Sequence, residues 1–267
     1  MGESKRKRET LRQMLVGKPG CIYCAGSAAA TTIEHMPPIS MFEGRDRPKG
    51  LEFPACEACN GGTKHSDLVA AMLSRCWTVG NLVVQQDDMK RLLKGVANNV
   101  PGLLQEMWIG RGAEKLARKR ENIPVDLHPV RADGPILNRH ISTFAAKFGF
   151  ALHSAIFGVP VPQTGGVAVV WYSNFQACKG QIPSVLFELM PEQLTLRQGV
   201  KSANNQFEYT YGRTDDGCHM LYFAAFNRSF AVAGVTATDR RVHLEACQDL
   251  RFSIFVPGAF RTQIPSP

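Results

Sequence analysis

Apolar residues recur at helical spacing most clearly from Leu137 to Phe157, where Ile141, Phe144, Ala145, Phe148, Leu152, Ala155 and Ile156 follow an i, i+3, i+4 rule. Gly158 and Pro160 predict the end of that helix. Two weaker helical patterns precede it. One opens at Ser66, an expected N-cap, and carries Leu68, Ala71, Met72 and Leu73 on toward Cys76. The other runs from Gln85 to about Arg120, with Met89, Leu92, Leu93 and Val96 on one face, an interruption at Pro101 and a second piece from Leu103. After Pro162 the period changes. Val167–Tyr172 and Val185–Leu189 read as apolar strand runs, and Phe207–Tyr211 alternates. Leu221–Val235 holds β-rich segments around an Asn227-Arg228 turn, and Phe252–Val256 is the expected last strand. The C-terminal half is therefore expected to be a long helix packed on an antiparallel sheet, an α+β layer arrangement.

Residues 21–60 lack any long periodic pattern and are rich in Gly, Pro and small side chains. Such a segment needs something other than a large apolar core to hold it. The expected organisation is a basic arm over 1–20, a compact module over 21–80, a helical connector over 81–135 and an α+β domain of unassigned role over 136–267. No run of about 18 apolar residues predicts a membrane span, and the first 20 residues lack the apolar stretch of a secretory signal. With cysteines at metal-binding spacing, the expected location is a reducing cytoplasm. The net charge of +8 and pI near 9.2 suit an acidic partner such as nucleic acid. Lys5–Arg8 concentrates part of that charge in a solvated arm able to follow phosphates. The run Lys115–Arg120 reads as a wet helix face before it reads as a DNA groove.

The compact module carries the chemistry. Cys21-Ile22-Tyr23-Cys24 and Cys56-Glu57-Ala58-Cys59 are two Cys-x-x-Cys turns, each aiming two sulfurs at one point. Together they supply a tetrahedral, closed zinc site, which is structural. Glu34, His35 and Asn60 stand at positions such a site does not need. A carboxylate and an amide oxygen suit a hard cation such as Mg²⁺ or Mn²⁺, and a histidine beside them suits activation of water. His140 and His153, 13 positions apart, do not form one ligand set, and Cys76, Cys178, Cys218 and Cys247 have no partner at metal spacing.

The layout Cys-x-x-Cys, Glu34-His35-x-x-Pro38, Cys-x-x-Cys-Asn60 resembles the HNH, or ββα-metal, endonuclease superfamily, in particular its zinc-bearing branch. The resemblance covers about 60 residues. It implies a small zinc-stapled ββα-metal module, ahead of the helical segment and the α+β domain, that hydrolyses DNA phosphodiester bonds through backbone contacts. It further implies His35 as general base, Glu34 and Asn60 as ligands of one Mg²⁺ or Mn²⁺, and Cys21, Cys24, Cys56 and Cys59 as zinc ligands. Three features depart from the family pattern. Glu34 replaces a frequent Asp. Gly50-Leu51 occupies the region of a middle Asn that orients the base, leaving that task to a backbone carbonyl or an unidentified residue. Gly61-Gly62 is expected to interrupt the helix after Asn60, which lets His65 or Asp67 compete as a ligand. Two other readings remain open: a zinc-ribbon module that binds nucleic acid without cutting it, and a thiol-exchange protein using the cysteine pairs.

Overall fold

The computed structural model describes residues 15–17, 20–76, 82–121, 123, 128–188, 193–203, 206–241 and 252–261. The basic tetrad of the arm and Cys247 lie outside them. The fold is mixed α and β. A short antiparallel hairpin, β1 (Thr32–His35) and β2 (Glu52–Ala55), leads directly into α1 (Glu57–Ser74). Three more helices follow, α2 (Leu82–Asn99), α3 (Leu103–Met107) and α4 (Gly110–Glu121), ahead of the long α5 (Pro135–Phe157).

The expected helix start at Ser66 is corrected by the structure. α1 begins nine residues earlier, at Glu57, and passes through Gly61-Gly62 without a break. Its N-cap is Cys56, whose sulfur accepts from the Cys59 backbone N–H at 3.4 Å. Two glycines cost a helix roughly 1 kcal/mol each. Burial of Cys59, Thr63, Ser66, Val69, Ala70 and Leu73 offsets that cost. Ser66 is an interior residue that bonds His140 Nδ1 at 3.1 Å.

α5 is the central element. Its first turn is capped from a distance: the Glu106 carboxylate of α3 accepts from the N–H groups of Ile136 and Leu137 at 2.9 and 2.8 Å. A Cβ at Gly134 would collide with the Glu106 side chain, so a larger residue there would displace the cap. Gly158, left-handed at φ 73°, ends the helix as its sequence predicts. One face of α5 covers a five-stranded antiparallel sheet, ordered β6 (Phe207–Arg213), β7 (His219–Phe226), β8 (Phe230–Ala237), β3 (Gly166–Ser173), β9 (Ser253–Phe255). Phe144 meets Phe226 and Phe230 edge-on, and Phe148 meets Phe207, Tyr209, Tyr222 and Phe226. The expected aromatic strand residues are thus largely core and cross-strand partners. The expected strand over Val185–Leu189 is instead a single helical turn, α7 (Val185–Glu188), after another short helix, α6 (Asn174–Cys178). A short apolar run does not distinguish the two states. A two-residue pair, β4 (Arg197–Gln198) with β5 (Lys201–Ser202), completes the strands.

α1 packs against α5, and the cysteine segment shares a core with both. One apolar cluster runs from Cys21, Tyr23 and Cys24 through Met72 and Phe148 to Phe260. No helix among the described residues is long and apolar enough to cross a membrane.

Candidate functional site

The Cys21–Cys24 turn is built by local backbone geometry. Cys21 leads a 3-10 turn, Ile22–Cys24, that ends in left-handed Ala25 (φ 49°) and Gly26 (φ 74°), and the Gly26 N–H returns to the Cys21 carbonyl at 3.0 Å. Cys56 and Cys59 arrive at the same point from the N-cap and first turn of α1. All four sulfurs are buried and lie within 4.8 Å of one another. Four convergent soft donors, joined by no His, Asp or Glu among the described residues, fit a closed structural metal such as zinc. Without a metal, the hydrogen bond from Cys59 leads the effects that hold Cys21 down at about 5, while that bond and burial push Cys59 upward.

Parts of the chain distant in sequence support these turns. Arg261, on a 3-10 turn (Ala259–Arg261), donates to Cys24 Sγ at 3.2 Å. Gln163 Nε2 bonds the Cys24 carbonyl, and the Gly258 N–H bonds the Tyr23 carbonyl, both at 2.8 Å. Outer contacts of this kind fix sulfur orientation and offset thiolate charge.

The hairpin carries the other expected site residues and sends them to different partners. β1 alternates faces, so Glu34 points inward and His35 outward. Glu34 is 6% exposed, and its Oε2 lies 3.2 Å from Lys147 Nζ of α5. Lys147 is wholly buried and also donates to Asp67 Oδ2 of α1 at 2.6 Å. Burial alone would lower the Lys147 pKa, but the two carboxylates outweigh it and raise it. Burial drives Glu34 up to about 7, with Lys147 pulling the other way, and burial likewise raises Asp67. The fully buried Tyr23 hydroxyl feels both carboxylates, and burial and their charge raise it. Tyr23 Oη and Asp67 Oδ1 have no hydrogen-bond partner among the described residues, while Glu34 Oε2 meets Lys147 as an ion pair. Glu34 therefore belongs to a buried ion cluster joining strand, α1 and α5.

His35 is 37% exposed at its side chain and sits across the hairpin from its register partner Glu52, Nδ1 to Oε1 at 3.6 Å. Burial and the nearby Arg47 lower the His35 pKa, and Glu52 opposes them. The imidazole is thus neutral near pH 7, and its buried Nδ1 has no hydrogen-bond partner among the described residues, Glu52 acting on it through charge alone. Arg47 closes the long loop between the strands, donating to the carbonyls of Met36, Pro37, Pro48 and Gly50 at 2.5–3.1 Å. Asn60 has a third set of contacts: its Nδ2 donates to Thr32 Oγ1 at 3.0 Å, and Thr32 in turn donates to the Ala55 carbonyl. His65, on α1, has its pKa lowered by burial and Lys64, and its charge helps lower the pKa of His140.

Glu52, Lys147 and Arg261 contact the expected site residues, and Arg47 contacts Glu52; sequence spacing singled out none of the four. The one available signal was the alternation Glu52-Phe53, which puts Glu52 on a strand face but leaves its partner open. His140 and His153 are satisfied core histidines, bonded to Ser66 and Thr236, and burial pulls both down to about 4. Compared with protein-family models, curated proteins and solved structures, the chain finds no match.

Proposed function

We propose that the chain is an HNH-type endonuclease that hydrolyses DNA phosphodiester bonds, with His35 as the general base. The observation that carries this reading is His35 at the loop end of a hairpin that leads straight into a cysteine-capped helix, with Glu52 opposite its ring. A base must be neutral at rest and tolerate a positive charge once it has taken the proton. Burial and Arg47 supply the first property. Glu52, on the Nδ1 side, supplies the second and leaves Nε2 to accept a proton from water. The orienting task that the missing middle Asn left unassigned falls in this reading to the charge of Glu52, 3.6 Å from Nδ1, and not to a hydrogen bond.

The proposal includes a requirement for Mg²⁺ or Mn²⁺. In this arrangement Glu34 does not fit as a ready ligand, because its carboxylate faces the Lys147 ammonium inside the core. Asn60 spends its amide NH₂ on Thr32 and keeps Oδ1 as the oxygen for a cation.

The burial of Glu34 favours one second reading, a zinc-stapled module that binds DNA without turnover. A panel of supercoiled, linear, branched and single-stranded DNA, incubated with Mg²⁺, Mn²⁺ or neither, separates the two. The endonuclease reading expects divalent-dependent cleavage by wild type that is absent in a folded His35→Ala variant. Binding with no cleavage of any substrate would establish the second reading instead.

A further inference from the structure

The helix α4 sorts its charges onto separate faces. Glu114 is taken by Arg118 at 2.8 Å and by His128 at 2.9 Å, and Glu121 is taken by Lys179 at 2.7 Å and Arg120 at 3.2 Å. Both acids of the helix are thereby neutralised by partners on and beyond it. Arg111, Lys115 and Lys119 remain, with no carboxylate partner among the described residues, and all three are exposed. They recur at i, i+4, i+8, so they form one stripe about 12 Å long at the rise of an α-helix. Trp108, 65% exposed, stands at the head of that stripe, just before the helix begins.

α4 also buries none of its residues, and Gly110 and Gly112 lie in its first turn. An isolated 12-residue helix is marginal in water, and each glycine weakens it by roughly 1 kcal/mol. Internal packing does not account for this helix, whereas an anionic partner along the stripe would support it. The partner is not a lipid surface: Leu116, 70% exposed, is the only large apolar residue in α4, too little to anchor an interfacial helix. A row of cations about 6 Å apart, with a flat aromatic just ahead of it in the chain, suits contact with about every second phosphate of a nucleic-acid strand, which presents one charge per 3.4 Å of axis.

We propose that the α4 stripe, Arg111, Lys115 and Lys119 with Trp108 at its head, is a docking surface for the phosphate backbone of duplex DNA. The inference rests on the DNA reading above for the identity of the partner, and it places part of the grip outside the cysteine-bearing hairpin.

The test is binding, independent of cleavage. The full chain is titrated onto a fluorescent 30-base-pair duplex across a series of KCl concentrations without added divalent cation. Three proteins are compared: wild type, Arg111→Gln/Lys115→Gln/Lys119→Gln, and a control that removes three exposed charges elsewhere, Lys94→Gln/Arg197→Gln/Arg213→Gln. At about 0.9 per phosphate contact, loss of three contacts lowers the slope of log K against log salt by about 2.7. The stripe variant should show that drop and bind at least 10-fold more weakly in 50 mM KCl, while the control stays within about 3-fold of wild type. Quenching of tryptophan fluorescence by the duplex should be reduced in Trp108→Phe. Equal slopes for stripe and control variants would overturn the proposal even if wild type cuts DNA. Binding of the stripe to an acidic peptide or anionic vesicles but not to the duplex would overturn it as well. Wild type that neither binds nor cuts DNA would remove the functional reading itself.

Discussion

Replacing Glu34 by glutamine removes one negative charge from a cluster that holds two carboxylates and one ammonium. Burial raises Glu34 from its ordinary 4.5 to about 7, so the folded chain holds this proton more tightly than the unfolded chain does. The sign follows: the associated stability is fully present below pH 4.5 and is lost as pH rises through about 7. At roughly 1.4 kcal/mol per pH unit, the wild type loses up to about 3 kcal/mol across that window through this one group. Glutamine has no proton to lose, yet its amide can accept from Lys147 and donate toward Tyr23 Oη or Asp67 Oδ1. Glu34→Gln should therefore match wild type near pH 4.5 and exceed it by about 2–3 kcal/mol at pH 8, or roughly 5–10 °C in Tm for a chain of this size. Urea denaturation at half-unit pH intervals from 4.5 to 8 measures both the offset and the slope. A variant less stable than wild type at pH 8, with the pH slope unchanged, would refute the reasoning and mean that the Glu34–Lys147 pair is a net stabiliser. Lys147→Met is the complementary perturbation. It leaves both carboxylates buried without a counter-charge and should cost about 3–5 kcal/mol near neutral pH.

Other expectations follow from the same contacts. Cys24→Ser or Cys59→Ser should reduce bound zinc from one equivalent to a small fraction, read by chelator-release colorimetry, and should lower Tm because the hairpin loses its fastening to α1. Gly149→Ala would set a Cβ 2.6 Å from Tyr222 Oη and 2.7 Å from Val167 Cγ1, and overpacking of that kind should cost about 1–3 kcal/mol in denaturant titration. In cleavage assays the wild-type rate should rise from acid pH to a plateau before neutrality, because burial and Arg47 lower the His35 pKa. Glu52→Gln should shift the acid limb to still lower pH and reduce the plateau, since the charge that favours imidazolium is gone.

The parts of the fold legible in the sequence were those fixed by local rules. The two Cys-x-x-Cys turns need only their own backbone geometry, and both converge as spacing predicts. The apolar stripe and Gly158 defined α5, an apolar run defined β3, alternation defined β6, and β-rich segments around the Asn227-Arg228 turn located β7 and β8. The start of α1 was not legible because its cap is a cysteine sulfur and two glycines occupy its second turn; tertiary burial keeps that turn helical. Lys147 could not be read as a partner of Glu34. It is a single lysine within an apolar helical stripe, and its other partner, Asp67, is 80 residues away in sequence. Glu52 was hidden for a related reason, since the loop between the strands leaves the hairpin register open until the carbonyl contacts of Arg47 close it. The divergent fates of neighbouring Glu34 and His35 follow from strand alternation. Which of the two would face the core depended on where α5 packs.

The proposed reaction has His35 take a proton from water during DNA cleavage. Its most direct measurement is the single-turnover nicking rate of supercoiled plasmid at pH 7.5 with Mn²⁺, for wild type and His35→Ala prepared with equal bound zinc and equal Tm. Loss of a general base predicts a rate lower by about 10²- to 10⁴-fold in the variant. Nicking by His35→Ala within a factor of two of wild type would contradict the account.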